Sequence, residues 1–174
     1  MTGLDGNQIT RFLKAVGERY ANPAQIFLLG GSALCLLGSP RPTLDIDYVG
    51  DDLKKDELQK IMEETAREFG LDVEAVPVEK FIPLPSKKQR QNILVGTFGK
   101  VEVYILDPYS IALSKIDRGF DTDLDDVLFL IQQGLIEIKA LEQIAIAASK
   151  HGREFDINVN ELLSHLQTLK DRLK

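Results

Sequence analysis

The chain has 174 residues, enough for one hydrophobic core, and its 44% apolar and 28% charged residues are those of a folded globular chain. A formal charge of −6 at pH 7 excludes a protein whose whole surface grips a nucleic-acid backbone, though a local basic patch can still do so. The longest apolar stretch, Ile26 to Leu37, is too short and too glycine-broken to cross a bilayer, and the N-terminus lacks a basic segment followed by an apolar one; the expectation is a cytoplasmic protein without membrane contact.

Ile9, Phe12, Leu13 and Val16 recur at helical spacing between Gln8 and Tyr20, and Asn22-Pro23 ends that packing helix. The uninterrupted apolar run Ile26 to Leu29 predicts a buried strand. Ser32 to Leu37, without a breaker, predicts a short helix. Gly30 and Gly31 lie between them, where glycine lets the backbone approach a ligand closely and the helix start favours an anion such as phosphate. Leu44 to Val49 alternates apolar and acidic residues, so a strand there projects Asp45 and Asp47 from one face and Ile46 and Tyr48 from the other. Two carboxylates side by side repel one another unless a cation joins them, and hard oxygen ligands suit Mg²⁺ (or Mn²⁺) held together with substrate phosphates. A solvated polar strand face is the plainer reading of this pair. A glycosyltransferase Asp-x-Asp motif is a third reading, but it needs no upstream Gly-Gly-Ser turn.

Leu53 to Phe69 is amphipathic and predicts a helix covering one sheet face, stopped by Gly70. A short strand follows over Leu71 to Val78, then a loop marked by Pro83 and Pro85 and the basic run Lys87, Lys88 and Arg90. That run reads either as a solvated loop or as a patch for an acceptor or a triphosphate. Ile93 to Phe98 and Lys100 to Leu106 read as a hairpin turning at Gly99, with Lys100, Glu102 and Tyr104 on one face of its second strand. Asp107-Pro108 is a helix-start pair, and the helix runs to Lys115. Thr122 and Asp125 resemble a capping box ahead of Val127 to Ile131, and Gly134 closes that helix. Helices over Ile138 to Ser149 and Val159 to Leu173 complete the chain, the second opened by Asn158. Cys35, the single cysteine, reads as a small core residue. His151 and His165, far apart, read as surface or packing histidines.

Together these elements predict an α/β (α+β) chain, a small mixed β-sheet flanked by helices, as one domain over 1–174, with a sheet core over 1–106 and a helical extension over 107–174. Gly30-Gly31-Ser32 followed at this spacing by Asp45-Ile46-Asp47, with Arg41 and Thr43 just ahead, resembles the signature of the DNA polymerase β-like nucleotidyltransferase superfamily. The Arg-x-Thr-x-Asp-x-Asp form is similar to its toxin-like, abortive-infection branch; minimal nucleotidyltransferases share the Gly-Ser and Asp-x-Asp parts. Ser114 to Ile131 resembles that branch's downstream motif, in which Lys115, Arg118, Asp123 and Asp126 occupy the matching positions and Asp121 stands where relatives commonly carry a basic residue.

The resemblance implies a nucleotidyltransferase fold and the transfer of a nucleoside monophosphate from a nucleoside triphosphate to a hydroxyl on a protein, an RNA end such as that of tRNA, or a small molecule. It implies a metal at Asp45 and Asp47. Gly30, Gly31, Ser32, Arg41 and Thr43 would lie along the nucleotide, with Asp123 and Asp126, and Lys115 would neutralise charge as pyrophosphate leaves. Two-metal phosphoryl chemistry usually takes a third carboxylate; the superfamily draws it from a later strand, and Glu102 is the residue expected to fill that place. Otherwise Glu102 is the solvent-facing member of an edge strand. A toxin-antitoxin partner protein is a further implication of the branch. A non-catalytic binding or antitoxin module on the same fold is the alternative.

Overall fold

The structure, a computed structural model, describes residues 3–50 and 55–174. It divides into two compact units, residues 1–76 with 92–106 and residues 77–91 with 107–174. Residues 77–91 fall in the same unit as the C-terminal helices.

In the first unit α1 (Gly6–Arg19) opens on a capping box in which the Asp5 carboxylate accepts from the Gln8 N–H and the Gln8 side chain accepts from the Asp5 N–H. The strands are β1 (Ala24–Leu29), β2 (Asp45–Gly50), β3 (Asp72–Ala75), β4 (Ile93–Phe98) and β5 (Val101–Ile105). They form a mixed sheet in the order β3-β2-β1-β5-β4. β1 runs antiparallel to β2 and parallel to β5, β3 is parallel to β2, and β4 and β5 make the expected hairpin. Between β1 and β2 lies the short helix α2 (Gly30–Leu36).

Side-chain alternation splits this sheet into an apolar and a polar face. Ala24, Ile26 and Leu28 of β1, Ile46 and Tyr48 of β2 and Val101, Val103 and Ile105 of β5 are all buried. They belong to the core that α1 and α3 (Lys55–Phe69) complete with Phe12, Leu13, Val16, Leu58 and Met62. Phe69, expected on the buried side of α3, is 42% exposed and meets Phe12 edge to face at 6.2 Å; Leu53 lies outside the described residues. Burial, then the nearby Glu63 carboxylate, pushes the Tyr48 phenol up to about 12, so it remains neutral on the core side of β2. Cys35 is only half-buried, its thiol 3.2 Å from the Arg41 carbonyl oxygen.

The second unit is built from α4 (Pro108–Arg118), α5 (Asp121–Gln132), α6 (Ile138–Ser149) and α7 (Val159–Arg172), with a 3₁₀ turn at Val78–Lys80. Asp107 caps α4 as expected, accepting from the Ser110 N–H at 3.0 Å, and Asn158 caps α7 by accepting from the Glu161 N–H. The capping box expected at Thr122 does not form. The N-cap is Phe120, without a side-chain cap, and α5 starts at Asp121, which puts Thr122 inside the first turn. Asp121 and Asp123 in that turn favour the helix start through the macrodipole instead. Asp121 is also tied down, since Arg172 of α7 reaches it at 2.5 Å and Asp125 at 2.9 Å. Gly119 ends α4 at φ 71°, and a side chain there would run into the His165 ring. His165 Nδ1 in turn donates to the Ile116 carbonyl at 2.7 Å. The closing glycine and the α7 histidine thus fix the α4 to α7 packing, and no metal role is needed to explain His165.

Among the described residues no helix is long and apolar enough to cross a membrane.

Candidate functional site

The turn after β1 and the start of β2 are pressed together. Leu29, the last residue of β1, is the register partner of Asp47. Gly30 follows at φ 64°, where only glycine is unstrained, and a Cβ on it would collide with the Asp47 carboxylate. A Cβ on Gly31 would meet the Thr43 hydroxyl. The Thr43 hydroxyl, in turn, donates to the Asp45 carbonyl at 3.1 Å and lies 3.4 Å from Asp45 Oδ1. Thr43 is itself held by an isolated antiparallel bridge to Leu4, with Leu4 N–H donating to the Thr43 carbonyl at 2.6 Å and Thr43 N–H donating back at 3.2 Å. Gly30, Gly31, Thr43, Asp45 and Asp47 therefore converge, and the absence of two side chains makes room for the carboxylate and the hydroxyl.

Ser32 joins them differently. Its hydroxyl is fully buried and donates to the Leu29 carbonyl at 3.0 Å, so its side chain fastens the turn and only its main-chain N–H is left to address a phosphate. Arg41 is exposed in the loop leading to Thr43. Gly30→Ala should cost about 1 kcal/mol or more, because the substitution adds φ strain to a steric conflict with Asp47. Chemical denaturation measures this, and a stability within about 0.3 kcal/mol of the parent would show that the turn relaxes freely.

Asp45 and Asp47 are half-exposed on the polar face of the sheet, with Ile46 and Tyr48 buried on the other, as the alternation predicts. The register adds a neighbour that the sequence reading passed over. β3 runs parallel to β2 with Asp45 opposite Asp72 and Asp47 opposite Glu74. Register partners share a face about 5 Å apart, so four carboxylates occupy one patch of two adjacent strands. Among the described residues no three acids, histidines or cysteines already stand at metal-holding distance. The donors nonetheless fit a hard divalent cation of the kind bound by one or two carboxylates and completed by substrate oxygens.

Glu102 lies elsewhere on the same face. It is the register partner of Gln25 on β1 and Thr97 on β4, and its carboxylate accepts from the Gln25 amide at 2.9 Å and the Tyr104 hydroxyl at 3.3 Å. Gln25 precedes Leu29 by four residues along β1 and two strand spacings separate β5 from β2, which places Glu102 roughly 16 Å from Asp47. It is not brought together with the aspartate pair. Instead it lines an open groove of about 400 Å³ with Gln25, Thr97 and Lys100. The stacked rings of Phe27 and Tyr104, 5.5 Å apart, stand between the two ends of the face. Burial, and then the Glu102 charge and hydrogen bond, raise the Tyr104 phenol above its usual value.

The downstream motif belongs to the second unit. Lys115 is 3% exposed, with its ammonium 2.7 Å from Asp126 and 3.4 Å from Asp123, and Arg118 reaches Asp123 at 2.6 Å. Two cations and two carboxylates thus balance across α4 and α5. Asp123 Oδ2 is buried without a hydrogen-bond partner among the described residues. The motif's spacing is accounted for by this cluster: Lys115 sits in the last turn of α4, and Asp123 and Asp126 lie one turn apart on α5.

Residues 7–174 match the model of a family described as a nucleotidyltransferase of unknown function, DUF6036. Neither a curated protein nor a solved structure matches the chain.

Proposed function

The chain belongs to the DUF6036 family of nucleotidyltransferases, and from that premise we propose that it transfers a nucleoside monophosphate from a nucleoside triphosphate to a hydroxyl acceptor at the patch formed by β2 and β3. The observation that carries this reading is the convergence of the Gly30-Gly31 turn on Asp47 and Thr43, with Glu74 in register beside Asp47. Asp45 and Asp47 are the residues assigned to hold Mg²⁺ or Mn²⁺, and Glu74 takes the third place that the sequence had offered to Glu102. A divalent cation bound there would offset the repulsion among the acids and draw the triphosphate oxygens to them.

The Asp47 carboxylate and the Thr43 hydroxyl fill the space beside Gly30 and Gly31, so what this turn would offer the outer phosphates is its main-chain N–H groups. Ser32 N–H adds a donor, and the Ser32 hydroxyl holds the turn in shape through the Leu29 carbonyl. The Thr43 hydroxyl donates to the Asp45 carbonyl, so the main chain at the start of β2 is held before substrate arrives. Attack of the acceptor oxygen on the α-phosphorus forms one P–O bond as the bond to the β-phosphate oxygen breaks, and pyrophosphate departs with that electron pair. Glu74, the most exposed of the three assigned acids, is placed to receive the acceptor's proton. Lys115 is assigned to the α4 and α5 ion cluster, where its ammonium is already engaged by two carboxylates.

Titration calorimetry with each of the common nucleoside triphosphates and Mg²⁺ tests the reading. At least one is expected to bind, and Asp45→Asn combined with Asp47→Asn should remove the Mg²⁺-dependent part. Release of pyrophosphate with a cell extract as acceptor source should follow the same dependence. Binding that survives the double substitution would overturn the metal assignment. Binding without pyrophosphate release would point to the non-catalytic module.

A further inference from the structure

Charge is distributed unevenly along this acidic chain. From Lys80 to Val101 there is no aspartate or glutamate, while Lys80, Lys87, Lys88, Arg90 and Lys100 add five positive charges to a stretch of a protein whose net charge is −6. Four of these cations lie in the segment 77–91 of the second unit. The structure gives them different tasks. Arg90 is spent internally: its side chain is 13% exposed, pairs with Glu79 at 2.9 Å and donates to the Pro85 carbonyl at 2.9 Å. That clamp closes the loop between the 3₁₀ turn at Val78–Lys80 and a second turn in which the Gln89 and Arg90 N–H groups donate to the Ser86 carbonyl. Ile82, buried beneath, anchors it. Lys80, Lys87 and Lys88 are exposed and pair with no carboxylate among the described residues. Phe81, between them, leaves 57% of its surface in solvent.

We propose that this clamped loop is a binding surface for a single-stranded nucleic acid, with Lys80, Lys87 and Lys88 meeting backbone phosphates and Phe81 stacking on a base. A bare solvated loop explains three lysines, but not a large aromatic ring held out on a loop that an internal arginine rigidifies. Base stacking on an exposed ring and cations along a backbone are the two components by which single strands are held without sequence preference. The acidic remainder of the surface repels a polyanion and so confines it to this segment. Taking such a strand as the acceptor of the transfer rests on the function proposed above; the binding itself does not.

The test therefore uses the full chain without nucleotide or metal. Fluorescence anisotropy of a labelled oligouridylate of about twelve nucleotides is expected to report binding that weakens between about 50 and 200 mM salt, with a slope of log affinity against log salt near −2, the value for about three phosphate contacts. Lys87→Glu with Lys88→Glu should weaken it by about tenfold or more and flatten the slope, and Phe81→Ala by about tenfold, the effect of losing one stacked base. Lys139→Glu on α6 with Lys150→Glu at its C-cap, which changes net charge equally at exposed positions, should have a small effect. No binding at the lowest salt, or equal losses in the two charge-reversed variants, would overturn the proposal. So would equal competition by polyglutamate with no effect of Phe81→Ala, since that pattern describes an acidic protein partner.

Discussion

Glu74→Gln should lower the rate of nucleotidyl transfer by about 100-fold or more, whereas Glu102→Gln should leave it within about threefold of the parent. Both are acids on alternating strands of the same sheet face, so simple composition and exposure predict the same outcome for each. Register separates them. Glu74 is opposite Asp47 on the adjacent strand, and Glu102 is opposite Gln25, four residues down β1 and two strands across. Removing the charge at Glu74 takes a donor from the patch proposed above to gather metal and phosphate, with little change in volume. Pyrophosphate release under saturating Mg²⁺ measures both variants. The opposite order, a large loss at Glu102 and none at Glu74, would reject the assignment of the third acid. A metal-binding isotherm would show the same contrast independently of acceptor, with Mn²⁺ affinity reduced in Glu74→Gln alone.

Lys115→Met should destabilise the protein by about 3–5 kcal/mol, the cost of leaving buried carboxylates without their cation. The ammonium has almost no access to solvent, and both its partners are buried with it. Arg118 remains beside Asp123, but its side chain is 59% exposed. Denaturant unfolding followed by far-UV circular dichroism reads the loss, and a change under about 1 kcal/mol would show that the cluster is not a fixed element of the helical unit. Adding Asp126→Leu should recover part of the stability, because it removes a buried carboxylate that has lost the Lys115 ammonium. If Lys115 served mainly as a nucleotide contact, Lys115→Met would instead weaken triphosphate binding while leaving the unfolding midpoint in place.

Much of the fold was legible from the chain. Alternation in Leu44 to Val49 identified the strand and its two faces, since a residue pattern of period two maps directly onto the sheet. Asp107-Pro108 and Asn158 announced helix starts through local side-chain chemistry. Thr122 and Asp125 carried an equally good local signal, yet α5 began one residue earlier than Thr122, at Asp121, with Asp121 and Asp125 tied to Arg172, 51 and 47 residues further on. That contact is invisible at the range over which capping patterns are read.

The Gly30 to Asp47 unit was recognisable because each of its members acts on near neighbours: glycines where a side chain has no room, a threonine two residues from the aspartate whose carbonyl it holds, and acids two apart on one strand. These are local constraints, and the sequence by itself determined them. Which later acid joins the pair is a matter of strand order and register, set by how β3, β1 and β5 bury their apolar faces against α1 and α3 over long separations. Only the tertiary structure could place Glu74 beside Asp47 and Glu102 beside Gln25, and only it could show Lys115 sealed between two aspartates, because burial and pairing across the sheet depend on contacts that no single stretch of chain contains.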